Sequence, residues 1–509
     1  MTIINLLLIW CYSCKPIGNG QQAHSKRKGK EDFMRKLIAT GVAVSLLLSG
    51  AFVTAQASNA PTLINTATLA NQPLKNISNL ALPFSVANDF GVQLGGLGSD
   101  MFRVLGAPFG EYWVVTDRGP NVDTVLPTGG GATGFLVPDF SPLILKVKVE
   151  GSNISILQTI AIKDRNGRGI TGLPNIQGYD AIPSDIKGTT GVSLYNLAGL
   201  DVEGLVRTRN GSFWVVDEYA PSLALISSKG VLTERWVPAG WSANPTNYKI
   251  NKTIPGIYLK RKPNRGFEAL AMSPDESTLF IGLQSPLLNP STAVGNASRM
   301  TRILRFDVNS KQFTGEFIYP FELPAKVDKT TTKTTELKLS ALVALDNDTL
   351  LVQERTDSSF LLTTIELKES GNILGSKWDL LETTPSLENW AVAVPEGIAP
   401  LIASLDKKIV FDSSMIPSMP TKIEGVAVLD SQHIALINDN DFNFSYSATT
   451  GQATSGSNLT KILTVKLAQP LPTYPDVAIA RLGRLCYSVG QIAGDLKCTE
   501  NKGSIRWRR

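Results

Sequence analysis

Carboxylates recur at fixed intervals along this chain. Glu203 and Glu218 are fifteen residues apart, as are Glu424 and Asp439, and Glu268 opens a third interval of that length that ends on Leu283. The turn residues between them set the expected geometry. Asn210-Gly211 is a strong signal for a two-residue hairpin turn, which sets Arg209 against Ser212 and Glu203 directly opposite Glu218. A two-residue turn at Ser431-Gln432 does the same for Glu424 and Asp439. Like charges facing each other across a sheet destabilise it. Such carboxylates either share a proton, with one pKa raised, or are held by a cation or an arginine. A hard ion such as Ca²⁺ takes about six to eight oxygen ligands from carboxylates, carbonyls and water, and needs neither His nor Cys. Glu203, Glu268 and Glu424 are therefore expected to converge on a common centre and bind a divalent cation, Ca²⁺ foremost.

A second set of acids falls at the ends of the following strands. Asp117, Glu218, Glu354 and Asp439 align without gaps in Val115-Thr116-Asp117-Arg118, Val216-Asp217-Glu218-Tyr219, Val352-Gln353-Glu354-Arg355 and Ile437-Asn438-Asp439-Asn440. They are the expected catalytic carboxylates, as further cation ligands or as a general base for water. Arg118 and Arg355 follow two of these acids. Neighbouring strand residues point to opposite faces, but at a strand end an arginine can still reach a mouth, so Arg118, Arg265 and Arg355 are candidate clamps for a phosphate or carboxylate.

Several chemistries are excluded. Only His24 and His433 exist, so a Ser-His-Asp hydrolase would need His433, beside a predicted turn where an exposed structural role fits better. There is no G-x-S-x-G elbow, and Gly95-Gly96-Leu97-Gly98 has the spacing of neither a P-loop nor a dinucleotide fingerprint. Of the four cysteines, Cys11 and Cys14 lie near the N-terminus and Cys486 and Cys498 near the C-terminus, with no zinc-like Cys/His spacing.

The elements that must position these acids are short β-rich runs separated by Gly, Asn, Asp and Pro clusters. Examples are Tyr112-Trp113-Val114-Val115, Phe213-Trp214-Val215-Val216, Leu279-Phe280-Ile281 and Ala435-Leu436-Ile437, and the last three of these, like Leu350-Leu351-Val352, are each preceded by a second run. Glu203-Gly204-Leu205-Val206, Glu268-Ala269-Leu270-Ala271, Ser340-Ala341-Leu342-Val343 and Glu424-Gly425-Val426-Ala427 share one plan. Amphipathic helical periodicity is hard to find. The pattern predicts an all-β repeat architecture, a β-propeller of about five to seven blades. N-terminal segments near Thr62 to Val86 are expected to close it by pairing with a strand around Ile462 to Leu467. Ring closure removes exposed sheet edges. The tail, 471–509, lacks the unit pattern and is expected to pack weakly or be disordered.

Residues 1–57 read as a leader. Arg35 and Lys36 after Met34, the apolar run Leu37 to Val53 and the small-x-small Ala55-Gln56-Ala57 form a secretory signal peptide, with Met34 as the expected start. An inner-membrane anchor is the other reading, although ~17 apolar residues is at the short limit for a span. Cleavage after Ala57 removes seven basic and two acidic residues from totals of 49 and 44, leaving 42 of each. A mature chain without net charge offers no basic surface for nucleic acid or membrane, so no nucleic-acid partner and no stable membrane insertion after cleavage are expected. The expected location is periplasmic or secreted. The apolar content, 43% overall, suffices for residues 58–470 to hold together without disulfides.

Leu200-Asp201-Val202-Glu203-Gly204-Leu205, Asn264-Arg265-Gly266-Phe267-Glu268-Ala269-Leu270, Lys422-Ile423-Glu424-Gly425-Val426 and Trp113-Val114-Val115-Thr116-Asp117-Arg118-Gly119 resemble the signature segments of the phytase-like, or esterase-like-activity-of-phytase, family. The resemblance runs from about Gly95 to Lys466. It implies a propeller and hydrolysis of an ester or phosphoester, without fixing the substrate. The Glu-Gly hairpin is also similar to gluconolactonase-type propellers, where the glutamate binds an axial metal; the unit starting at Ser340 departs from that pattern. Metal-assisted hydrolysis of a small-molecule ester or phosphoester at the propeller axis is the leading expectation. A gluconolactonase-like small-molecule enzyme and a non-catalytic periplasmic binding propeller are the alternatives.

Overall fold

Alternating apolar runs broken by turn residues bury themselves most economically as antiparallel hairpins, and the strands follow that plan. In the computed structural model, residues 60–81, 91–104, 107, 110–186, 194–245, 247–381, 385–389, 398–473, 492–493, 496–501 and 504–509 are described. The leader with its start and cleavage signal, and part of the expected closing segment, lie outside them. No helix among the described residues is long and apolar enough to cross a membrane.

The chain is a β-propeller. Its blades are antiparallel runs of four strands, and the described residues make five of them. The first run is β1 Asp100–Arg103, β2 Glu111–Val115, β3 Leu143–Glu150 and β4 Asn153–Ala161. The second is β5 Val202–Arg207, β6 Phe213–Asp217, β7 Ser222–Ile226 and β8 Leu232–Pro238. The third is β9 Phe267–Met272, β10 Thr278–Leu283, β11 Met300–Asp307 and β12 Gln312–Pro320. The fourth is β13 Lys338–Ala344, β14 Thr349–Arg355, β15 Phe360–Glu366 and β16 Lys408–Asp412. The fifth joins β17 Ile423–Val428, β18 His433–Asn438 and β19 Lys461–Lys466 to the N-terminal strand Thr62–Leu69.

That last pairing is the expected closure. Thr62–Leu69 runs antiparallel to β19, with Leu63 against Val465 and Thr66 against Leu463. The innermost strands β1, β5, β9, β13 and β17 touch one another in cyclic order. Hydrophobic clusters fill each gap between neighbours. Trp113 and Ile144 pack on Leu205 and Val215 between the first and second blades. Val206 and Trp214 pack on Leu270 and Ile281 between the second and third. Ala269 and Phe280 meet Leu339 and Val352, Ala341 and Leu351 meet Val426 and Leu436, and Met101 and Val114 meet Ala427 and Ile437. Every blade is thus buried on both faces, which is why its strands read as apolar runs rather than strict alternation.

The tail differs from expectation. Ile492–Ala493, Leu496–Asn501 and Ser504–Arg508 form an antiparallel ladder, and Cys498 and Trp507 are fully buried. Cys498 is disulfide-bonded.

Candidate functional site

The site is built by a register slip repeated around the ring. In four hairpins the ladder jumps one residue at the same place, leaving Glu203, Glu268, Ser340 and Glu424 unpaired as β-bulges on the innermost strands. A bulge re-aims its extra side chain. The residue after the bulge must then be small: a Cβ on Gly204 would lie 2.5 Å from Val216 Cγ2, and one on Gly425 2.5 Å from Ile437 Cγ2 and 2.8 Å from Met101 N. The recurring Glu-Gly pair is therefore a bulge followed by a close strand-to-strand approach.

The predicted turns are one residue too short. Thr208 N donates to Ser212 O and Leu429 N to His433 O, so three residues, not two, lie in each loop. With the bulge included, Glu218 N bonds to Asp201 O and Asp439 N to Lys422 O. Glu203 and Glu218 are therefore not cross-strand partners, and neither are Glu424 and Asp439. Residues two before each bulge, Asp201 and Lys422, take those places.

The same pairing corrects the second column. The third hairpin has a four-residue loop, closed by Ser273 N to Thr278 O, so the interval from Glu268 ends on Gln284, whose N bonds to Gly266 O. In the fourth hairpin Lys338 pairs with Arg355. The side chains at the channel are thus Glu218, Gln284, Arg355 and Asp439, with Asp117 beside them. Glu354, one residue earlier, is not part of the cavity lining: its carboxylate accepts from Glu322 N at 2.8 Å and lies 2.9 Å from Lys407 Nζ.

Asp117, Asp201, Glu203, Glu218, Glu268, Glu424, Asp439 and Asp441 line one cavity of about 220 Å³ together with Arg118, Arg265, Lys338, Arg355 and Lys422. Carboxylate oxygens of Glu203, Glu268 and Glu424 lie within 4.8 Å of one another, as do those of Asp201, Glu203 and Glu218, and of Asp117, Asp439 and Asp441. The expected triad converges, but a side chain of the protein already serves part of it. Arg355 reaches Glu268 Oε1 at 3.3 Å through Nη2, bonds to Glu424, and donates from Nε to Ser340 Oγ at 2.6 Å. Lys422 lies 2.5 Å from Asp441, 3.5 Å from Asp439 and 4.0 Å from Glu424. Arg118 binds Asp201 through its backbone N at 3.0 Å and Nη1 at 3.3 Å, and meets Asn264. Arg265 Nη1 donates to Thr335 O at 2.8 Å and Ser285 Oγ at 3.1 Å.

Burial pushes Glu203 and Glu218 well above the carboxylate range, reinforced by the surrounding acids. Asp201 rises to about 6 by burial, restrained by Arg118. Burial and neighbouring acids likewise raise Asp117 and Asp439. Asp441 goes the other way: Lys422 overcomes the cost of burial and keeps it ionised. Asp100, which pairs with Val115 on the innermost strand of the first blade, is raised to about 8 by burial. It accepts from Met101 N at 2.7 Å and Leu205 N at 2.8 Å, and borders a separate, apolar cavity of about 60 Å³.

Asp201, Gln284, Lys338, Lys422 and Asp441 line this cavity and were not anticipated as site residues. A signal existed for two of them. Asp201 with Glu203, and Lys422 with Glu424, stand two apart in sequence, the interval that puts strand side chains on one face. His433 lies away from this cavity, its Nδ1 2.9 Å from both oxygens of Asp430.

Residues 94–442 match the family model described as Phytase-like: Esterase-like activity of phytase. An uncharacterized secreted protein of Arthroderma benhamiae is 26% identical over 278 residues, 47% of this chain and 54% of that protein. The chain thus spans about half the length of that relative. Among solved structures it is similar to a luciferin-regenerating enzyme, at 7% identity and a TM-score of 0.30, covering 75% of this chain and 96% of the other. It is also similar to the β-propeller domain of Myceliophteria thermophila Cps50 (Swd1), at 10% identity and a TM-score of 0.27, covering 68% and 96%.

Proposed function

The chain belongs to the phytase-like family, and from that membership and the makeup of its channel we propose that it is an exported hydrolase cleaving a small ester or phosphoester with the help of a divalent cation. One observation carries the reading: carboxylates and cationic side chains converge on a single cavity of about 220 Å³ where the innermost strands meet. A purely structural polar core would pair its charges and fill its space. Here eight acids face five bases around open volume.

The residues divide the work. Arg265 and Lys338 are the anion-binding arc, since both carry cations whose charge burial disfavours and which a phosphate or carboxylate would stabilise. Burial and neighbouring acids favour the protonated form of Asp439 and Asp117, while Lys422 favours the ionised form of Asp441, so one group within 4.8 Å combines carboxyls that resist ionisation with one that keeps its charge, the pairing that general acid and base work needs. The oxygen ligands of a cation are drawn from the acids around the channel, where Glu203 belongs both to a group with Asp201 and Glu218 and to one with Glu268 and Glu424. Their chemistry fits a hard cation such as Ca²⁺. Bound there, it would polarise the substrate oxygen.

Export is supported by the leader pattern of Arg35 to Ala57 and by the secreted description of the fungal relative. The test is a panel of a chromogenic ester, a phosphomonoester and a lactone, each with EDTA or with millimolar calcium. Calcium-stimulated turnover of the ester or phosphomonoester is expected. Turnover of the lactone alone would assign a gluconolactonase-like activity, and turnover of none would leave a binding propeller.

A further inference from the structure

The charge around the cavity is unevenly matched. Glu268 and Glu424 share Arg355, and Asp439 and Asp441 share Lys422. Asp117 groups with Asp439 and Asp441. The other three acids, Asp201, Glu203 and Glu218, have one paired cation among them, Arg118 on Asp201; among the described residues no ion pair reaches Glu203 or Glu218. Fully ionised, these three carboxylates carry an excess of two negative charges over the one guanidinium. One divalent cation cancels it.

A second observation at the same place points to a ligand. Gln284 is nine-tenths buried, and its Nε2 donates to Glu218 Oε1 at 2.7 Å and to Glu268. Its Oε1 is buried with no hydrogen-bond partner among the described residues. A buried amide oxygen left unpaired bears the full cost of its desolvation, and this one sits on an amide head already lodged between the acids. Amide oxygens are regular ligands of Ca²⁺.

We propose that the cation binds off the axis, between the second and third blades, to Asp201, Glu203, Glu218 and the Gln284 amide oxygen, while Arg355 is the built-in occupant of the place between Glu268 and Glu424. This rests on the cation-assisted reading above and gives it an address. Glu203 belongs both to this group and to the axial triad, so it cannot tell them apart. Glu218 and Glu424 can. The ligand set is all oxygen, which favours calcium over zinc or copper.

The experiment is calorimetric titration of the EDTA-stripped mature chain with calcium, alongside melting with and without calcium. Glu218→Gln is expected to weaken calcium binding at least tenfold and to abolish the calcium-dependent rise in melting temperature. Glu424→Gln should change affinity less than threefold. Gln284→Met keeps the charge and the side-chain length, and should weaken binding severalfold; it stands in if Glu218→Gln does not fold. Equal losses in Glu218→Gln and Glu424→Gln, or a loss only in the latter, would overturn the off-axis site in favour of the axial triad. Absence of calcium binding by the unaltered protein would overturn it too, yet ester hydrolysis persisting in EDTA would leave the hydrolase standing. Calcium binding without turnover of any substrate would do the reverse.

Discussion

The guanidinium of Arg355 lies 3.3 Å from the carboxylate of Glu268, eighty-seven residues away in sequence, with both side chains almost wholly buried. Arg355 leaves β14 of the fourth blade at the place where the second and fifth blades carry Glu218 and Asp439, so a cation replaces an acid in one position of the ring. Removing it strands two buried carboxylates. Arg355→Met should therefore destabilise the protein by ~3–5 kcal/mol, and the added changes Glu268→Gln and Glu424→Gln should recover much of that loss. Urea unfolding of the two variants checks it; an Arg355→Met protein as stable as the original would contradict the pairing.

The bulge geometry makes Gly425 sensitive to a single methyl group. A Cβ there meets Ile437 Cγ2 at 2.5 Å and the backbone of the first blade at 2.8 Å, so Gly425→Ala should cost ~1–3 kcal/mol. Among the described residues nothing lies within 4 Å of a Cβ on Gly131, and Gly131→Ala should stay within ~0.5 kcal/mol. Denaturant midpoints of the pair give the comparison.

Closure by the N-terminal strand is a separate liability. A chain starting after Leu69 loses the antiparallel partner of β19 and exposes that edge, so it should unfold less cooperatively and self-associate. Size-exclusion chromatography and thermal melting against a chain starting at Ala60 measure this; a monomeric, cooperatively melting truncation would show that the closure is dispensable.

A buried ionic group away from the channel predicts a pH effect on stability. Burial raises the Glu316 carboxyl from 4.5 to about 8, with Asp379 adding to the rise and Arg302, 2.7 Å away, opposing it. Tyr258 OH lies 3.2 Å from the same oxygen, and Glu388 binds the other arm of Arg302. The folded state holds a proton that the unfolded state has released, so this contribution is complete below about 4.5 and is lost as pH rises towards about 8. Glu316→Gln removes that titration. Its melting temperature relative to the original protein should climb across that window and level off above it; a difference that does not vary with pH would refute the assignment.

Much of this was legible in the residues. Apolar runs punctuated by turn residues specified strands and hairpins, their repetition specified a ring, and Thr62 and Ile462 sit in the strands that close it. Glu203, Glu268 and Glu424 were recognisable because equivalent places in repeated units point to a common centre. The misplaced residues share one cause. Counting from a two-residue turn sets Glu203 against Glu218, whereas a three-residue loop and a bulge pair Glu218 with Asp201 instead. Aligning the strand ends by their acids picks Glu354, but the pairing of Lys338 with Arg355 sends Glu354 to Lys407.

By itself, then, the sequence determined which residue types recur and at what period, because hydrophobic alternation and turn chemistry act locally. Only the tertiary structure decided which of two adjacent side chains enters the channel, because a slip of one residue reverses the face of every side chain beyond it. It also decided how the acids are shared out. Arg355 meets Glu268 and Glu424, Lys422 meets Asp439 and Asp441, and Gln284 meets Glu218 only after the blades close into a ring, since each of these contacts but those of Lys422 crosses from one blade to another.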